Sequence, residues 1–292
     1  MKPPHQMTEG PLPYLCGTGA TLFVVPCAAP SDLQGRCDST TVAASEHPVP
    51  PRPADSRTCP MPNLAEGFVY YIVFLFSTTL HEAAHAWAAR RLGDPTAYHG
   101  GQVTLDPMPH IRREPFGMVI LPIVSVLISG WPFGYASAPY DPVWARRYPK
   151  RAAQMALAGP ASNLLLVVLS GLLIRLGTLT GAFYPPDSIH FGYLAAAEPG
   201  LPSAIAGFLS IFFSLNLLLF AFNLLPLPPL DGSGAIPLFL SPRASETYQD
   251  FLINTPGIAW IGMLIAWQIF DFLFDPIFLG AANLLYPGLG YY

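Results

Sequence analysis

The sequence predicts an all-α polytopic membrane protein with about four to six hydrophobic segments, one of them a candidate re-entrant piece, and a small β-strand element beside its site. Three observations carry that expectation. The 292 residues are 52% hydrophobic and only 11% charged, with a mean hydropathy of +0.40, too apolar for an ordinary soluble domain. Apolar runs cover roughly residues 66–90, 116–133, 152–175, 203–225 and 257–274, each near the ~20 residues that a helix needs to cross hydrocarbon. The first run contains His81-Glu82-Ala83-Ala84-His85, and ionisable groups at membrane depth are costly unless they are used.

Before the first span, residues 1–62 hold 12 of the 34 prolines and all four cysteines (Cys16, Cys27, Cys37 and Cys59), without CxxC spacing or amphipathic periodicity. This stretch reads as a Pro-rich disordered tail, or as sequence upstream of a natural start at Met61. The run Leu22 to Val25 is too short for the apolar core of a signal peptide. Residues 63–292 are expected to form the membrane-embedded domain. A net charge of −4 with no basic cluster interleaved with aromatics excludes nucleic acid as a partner. No internal repeat is visible.

In the first span, positions i and i+4 lie on one helix face, so the imidazoles of His81 and His85 can reach one cation. Glu82, about 100° round the helix, stays free for proton chemistry. Zinc accepts neutral imidazole, and three protein ligands leave a position for water. The competing reading is a buried hydrogen-bonded trio without metal.

Pro122, Gly130 and Pro132 interrupt the second apolar stretch, Phe116 to Phe133. Arg90, Arg91, Arg112 and Arg113 precede it, while Arg146, Arg147, Lys150 and Arg151 follow it. The positive-inside rule places both clusters in the cytoplasm, so a segment that dips in and returns fits better than one that crosses. With that topology, the third span runs outward and the fourth inward, which brings residues 223–231 to the depth of His81 and His85. Gly101 to Asp106 has the period-two alternation of a short strand, and Phe133 to Tyr140 could be another. A small sheet there would offer an edge to an extended peptide, although an ordinary loop fits the pattern equally. The last short piece, Ile277 to Leu285, is too short to span.

After the fourth span, Asn223-Leu-Leu-Pro-Leu-Pro-Pro-Leu-Asp231-Gly232 sets three prolines within four residues, ends the helix and leaves a carboxylate on irregular backbone. Asp231 supplies the oxygen ligand that HExxH lacks; alternatively it caps the next turn. Asn223 could hydrogen-bond the attacking water or a developing oxyanion, or satisfy backbone freed by the prolines. Gly159-Pro-Ala-Ser-Asn163 opens the third span among alanines, a composition suited to close helix packing, with Asn163 available for a hydrogen bond across helices.

Together, HEAAH, GPASN and NLLPLPPLDG resemble the site-2 protease family of intramembrane zinc metalloproteases. The stretches Leu92-Gly-Asp-Pro-Thr-Ala97, Val103-Thr-Leu-Asp-Pro107 and Pro115-Phe-Gly117 are similar to its short prokaryotic branch without a PDZ domain. The resemblance implies one Zn2+ held by His81, His85 and Asp231, with Glu82 as catalytic acid/base and Asn223 as a catalytic residue that positions water or stabilises the oxyanion. It also implies a lipid bilayer, a membrane-protein substrate with a transmembrane helix, and the cell membrane of a prokaryote, with the site toward the cytoplasm. The chain departs from that branch at Thr104, where an Asn is common, and at Ala136-Ser-Ala-Pro139, where a Lys commonly precedes Pro. A zinc-binding scaffold without activity and a metal transporter are the rival readings. The intact Glu82 disfavours the first, and the scarcity of His and acidic residues in the other spans disfavours the second.

Overall fold

Helix α1 (Leu64–Leu92) begins and ends within two residues of the predicted span and stops where Gly93 turns to φ 106°. Asp94 N–H donates to the Ala89 carbonyl at 2.8 Å and Gly93 N–H to Arg90, a glycine-dependent helix stop. The computed structural model describes residues 64–291; the tail expected over residues 1–62, with its cysteines and Met61, lies outside the described residues. Asp94 is buried at 1% exposure. Its carboxylate accepts from Thr96 N–H, the Thr96 hydroxyl and Asp141 N–H, and so ties the end of α1 to a segment almost fifty residues away.

Short helices α2 (Thr96–His99) and α3 (Pro107–Arg113) follow. The strand expected over Gly101 to Asp106 is absent. Asp106 instead caps α3, accepting from Met108 N–H at 2.9 Å, and Thr104 Oγ1 accepts from Asp106 N–H at 3.1 Å. Side-chain bonds of this kind compete with a ladder, and a six-residue alternation is too short to resist them.

The second apolar stretch forms a π turn (Phe116–Ile120) continuous with α4 (Leu121–Ser129). Fourteen helical residues reach about 21 Å, short of the ~30 Å hydrocarbon core. Gly130, at φ 74°, reverses the chain. The returning backbone then lies against the helix it has just left: Phe133 N–H donates to Ser125 Oγ at 2.7 Å and Tyr135 N–H to the Gly117 carbonyl at 3.0 Å. A Cβ at Gly117 would stand 2.2 Å from the Tyr135 carbonyl oxygen, so glycine is required for that approach. The segment therefore doubles back on itself, the shape expected of a re-entrant piece. Residues 132–141 carry no regular secondary structure, and the sheet expected with Phe133 to Tyr140 is missing; among the described residues only two isolated bridges occur, Tyr184 with Ala196 and His190 with Tyr193. The physical reason is that the 133–135 backbone is bonded to α4 and to the π turn before it rather than to another extended segment.

After α5 (Pro142–Arg147), the long helix α6 (Pro149–Leu179) and then α7 (Leu201–Asn223) complete a core with α1. Tyr70, Val73 and Phe74 pack on Ile211 and Leu215 in that core. The turn α8 (Asp231–Ala235) rests on α6, followed by a 3-10 turn (Ile236–Leu238) and the surface helix α9 (Pro242–Asn254). The expected fifth span and the short apolar piece after it are a single helix, α10 (Ile258–Leu285), continuous through Pro276. Proline removes one hydrogen bond but is tolerated in membrane helices, where local adjustment restores the backbone pairing. Helices α1, α6, α7 and α10 are long and apolar enough to cross a membrane. The protein is an integral membrane protein.

Candidate metal centre

His81 and His85 project from one face of α1 toward α6, and Asp231 reaches the same point from the first residue of α8. His81 Nε2 lies 2.9 Å from Asp231 Oδ2, His85 Nε2 lies 3.3 Å from the same oxygen, and the two Nε2 atoms are 3.0 Å apart. These separations approach the ~3.3 Å expected between ligands of a tetrahedral ion with bonds of about 2.0 to 2.1 Å.

The other ring nitrogens decide what those three atoms can be. His85 Nδ1 is 2.8 Å from the Met155 carbonyl, which can only accept, so this ring carries its hydrogen on Nδ1. His81 Nδ1 is 2.5 Å from Asn163 Oδ1, likewise an acceptor. Both rings therefore turn Nε2 lone pairs toward one another and toward a carboxylate. Three such groups repel unless a cation or a shared proton sits among them, and two nitrogens with one oxygen suit zinc. Residues His81, His85 and Asp231 could hold a metal ion.

Room for an ion comes from α6. A Cβ at Gly159 would lie 2.3 Å from His85 Nε2 and 2.4 Å from His81 Nε2, so only glycine leaves the ligand atoms uncovered there. The next residue, Pro160, cannot donate to the Ala156 carbonyl, which loosens the helix beside Met155. The Gly159-Pro160 pair, expected from composition to serve helix packing, stands against the site itself.

Asp231 is positioned by the proline-rich turn before it. Gly232 allows the turn to fold onto the end of α7, since a Cβ there would meet the Leu224 and Leu225 carbonyls at 2.2 and 2.3 Å. Gly262 of α10 permits an equally close approach to the Pro228 carbonyl, 2.0 Å from a built Cβ. Tyr248 of α9 donates its hydroxyl to the Ser233 carbonyl at 3.0 Å.

Glu82 is 7% exposed and makes no hydrogen bond or ion pair with another described residue. It lines, with His85 and Asp231, a cavity of about 450 Å3 walled by residues 136–138 and Tyr140, the Pro228-Pro229 turn, and Tyr248 and Leu252 of α9. Asn223 stands outside the ligand trio and outside the cavity lining. Its amide nitrogen donates to the Leu219 carbonyl at 2.9 Å, its one side-chain hydrogen bond among the described residues.

The whole arrangement points to one group of known proteins. Residues 69–261 match the model of peptidase family M50. The chain belongs to peptidase family M50. No PDZ domain is matched alongside it. YwhC of Bacillus subtilis, a candidate zinc metalloprotease by its name, is 33% identical over 220 residues, covering 70% of this chain and 90% of that protein. Rip2 of Mycolicibacterium smegmatis, named in the same way, is 31% identical over 210 residues, or 68% of this chain and 71% of that protein. No solved structure matches the chain. Membership in the M50 family accords with a membrane zinc metalloprotease.

Sequence reasoning named the three converging groups and Glu82, but assigned nothing to Gly159 beyond packing and missed Asn216. The signal for Asn216 was a lone amide in the apolar run 211–222, since polar residues within spanning helices usually bond across helices.

Proposed function

We propose that this protein is an intramembrane zinc metalloprotease that hydrolyses peptide bonds in or next to transmembrane segments of membrane proteins, as a step of regulated intramembrane proteolysis. The observation that carries this reading is the convergence of His81, His85 and Asp231, with Glu82 on the wall of the same cavity. A single bound zinc would polarise the scissile carbonyl and lower the pKa of water toward neutrality.

The residues do the rest. Glu82 takes a proton from the attacking water as its oxygen bonds to the carbonyl carbon. When the carbon–nitrogen bond breaks, Glu82 returns that proton to the leaving nitrogen, giving a carboxylic acid and an amine. The second amide hydrogen of Asn223 is available to water or to the developing oxyanion once substrate is bound. A substrate helix has to unwind first, because its carbonyls are hydrogen-bonded and shielded. The irregular backbone of residues 136–138, which lines the cavity with Glu82 and whose Ser137 carbonyl accepts from Arg113 Nε at 3.1 Å, suits an extended peptide. Arg90 and Arg91 at the end of α1, with Arg146, Arg147, Lys150 and Arg151 near it, support a cytoplasmic orientation of this end in a prokaryotic cell membrane.

The test is cleavage of labelled single-span membrane peptides by purified zinc-loaded protein beside Glu82→Gln. Loss of roughly 10²–10⁴-fold in rate, with zinc content unchanged, is the expected result. Equal cleavage by both proteins would sink the assigned role of Glu82, and retained zinc without cleavage by either would favour a scaffold.

A further inference from the structure

Three polar side chains at membrane depth form a line that ends on the proposed metal centre. Ser77 of α1, Asn216 of α7 and Asn163 of α6 are each completely buried. Asn216 Nδ2 donates to Ser77 Oγ at 3.0 Å and to the Phe212 carbonyl at 2.8 Å. Asn163 Nδ2 donates to Asn216 Oδ1 at 2.9 Å. Asn163 Oδ1 then faces His81 Nδ1.

The direction of this line is determined by its far end. A main-chain carbonyl only accepts, so the Asn216 atom at Phe212 has to be the amide nitrogen, and its other head has to be the oxygen. That oxygen requires a donor from Asn163, which turns the Asn163 oxygen toward His81. Facing an acceptor, His81 carries its hydrogen on Nδ1 and keeps the Nε2 lone pair for the ligand position. If Asn163 were reversed, its oxygen would face that of Asn216 across 2.9 Å, an arrangement of two acceptors.

Resting on the metal-centre reading given above, we propose that Asn216 is a positioning residue that sets the ring tautomer of His81 through Asn163. Asn216 itself touches neither histidine nor carboxylate. The two ligands differ in this respect. His85 is oriented by the fixed carbonyl of Met155, whereas His81 depends on an amide that could rotate. Without an acceptor at position 216, Asn163 is free to turn over. His81 can then hold its hydrogen on Nε2 and donate it to Asp231 Oδ2, 2.9 Å away. In that tautomer the nitrogen cannot ligate.

The experiment is zinc affinity of the full-length protein in detergent, measured by competition with a chromophoric chelator, for Asn216→Leu in the wild-type and Asn163→Asp backgrounds. Loss of the groups that orient a ligating imidazole commonly costs 10–100-fold in metal affinity, and for Asn216→Leu about tenfold is expected in the wild-type background. An aspartate at position 163 accepts from His81 in either orientation, and Asn216→Leu removes an oxygen that would oppose it. In that background, therefore, Asn216→Leu is expected to leave affinity unchanged or to raise it. Ser214→Ala is the control, since Ser214 is buried on the same helix and its hydroxyl makes no hydrogen bond among the described residues.

If Asn163→Asp does not fold, Asn216→Asp takes its place. A buried carboxyl there is held neutral, donates to Phe212 and accepts from Asn163, so affinity is expected to stay near the wild-type value while Asn216→Leu falls. Equal losses for Asn216→Leu in both backgrounds, or equal losses for Asn216→Asp and Asn216→Leu, would mean a packing role and overturn the proposal. No loss for Asn216→Leu in the wild-type background would overturn it as well. A wild-type protein whose zinc binding is indifferent to His81, His85 and Asp231 would instead overturn the metal-centre reading, and this inference with it.

Discussion

The two walls of the site are built differently. On the helical wall, from α1, α6 and α7, polar atoms are buried and partnered: Ser77, Asn216, Asn163 and His81 in one line, and His85 on the Met155 carbonyl. On the cavity wall, Glu82 has no hydrogen-bonding partner among the described residues, residues 132–141 are irregular, and α9 is held across the opening by a few bonds near the surface. A hydrogen-bonded buried network fixes geometry, which ligand atoms need. A wall that leaves groups unsatisfied has something to offer an incoming molecule. Under the proposed function, the difference means that one wall prepares the metal ligands and the other receives the substrate, and each assignment can be broken separately.

The largest effect is expected from Gly159→Ala on the helical wall. Alanine in a helix interior is more favourable than glycine by about 1 kcal/mol, so the helix itself should not suffer. The added methyl would nonetheless sit 2.3 and 2.4 Å from the two Nε2 atoms. Neither ring can swing aside without giving up its Nδ1 hydrogen bond. Zinc affinity should fall by at least the roughly 10–100-fold that follows removal of a ligand's supporting partner, and thermal stability of the metal-free protein should fall with it, since a displaced ring gives up a hydrogen bond worth about 1 kcal/mol or more. Unchanged zinc binding, measured by chelator competition, would show that the space beside Gly159 is not where an ion resides.

Much of the helical wall was legible from residue type and spacing. His81 and His85 share a face because they are four apart on a helix, and Asp231 returns to their depth because three prolines end the helix before it. The doubling back of residues 116–133 agrees with the arginines at both ends. The rest was far less legible. The strand expected at Gly101 to Asp106 lost to capping by Asp106 and Thr104, a contest between local bonds that alternation alone does not reveal. The role of Gly159 depended on which helix lies opposite, and the chain from Asn216 joins residues 53 and 139 positions apart. Such contacts come from packing, and a single sequence records packing only as an unexplained small or polar residue.

A moderate effect is expected on the cavity wall from Tyr248→Phe. The substitution keeps the ring against the cavity and removes one hydrogen bond, to the Ser233 carbonyl two residues beyond Asp231. A single neutral hydrogen bond is worth about 1 kcal/mol net, so the position of the α8 turn should loosen without the site coming apart. Peptide cleavage is expected to weaken several-fold, on the order of the factor of 5 that 1 kcal/mol represents, mainly through KM, with zinc affinity nearly unchanged. A loss of zinc affinity equal to the loss of cleavage would erase the distinction between the two walls.

The smallest effect belongs to the outermost tie, Arg146 of α5 with Asp250 of α9, whose side chains are 51% and 54% exposed. Exposed ion pairs contribute roughly 0 to 1 kcal/mol because water screens the charges and two long side chains must be held still. Removing the pair should therefore leave stability almost untouched. Its position is more telling than its strength, since Arg146 lines the cavity that Glu82 faces and the pair joins the two elements on either side of the opening. With Asp250→Asn, thermal stability should stay within error and zinc affinity should not move. Cleavage of a peptide too bulky to enter a closed opening should rise modestly, and more so at low salt, where the wild-type pair is strongest. An identical salt dependence in both proteins would show that α9 is held by its buried contacts alone, and that the opening is set by Tyr248 and the apolar residues beneath it.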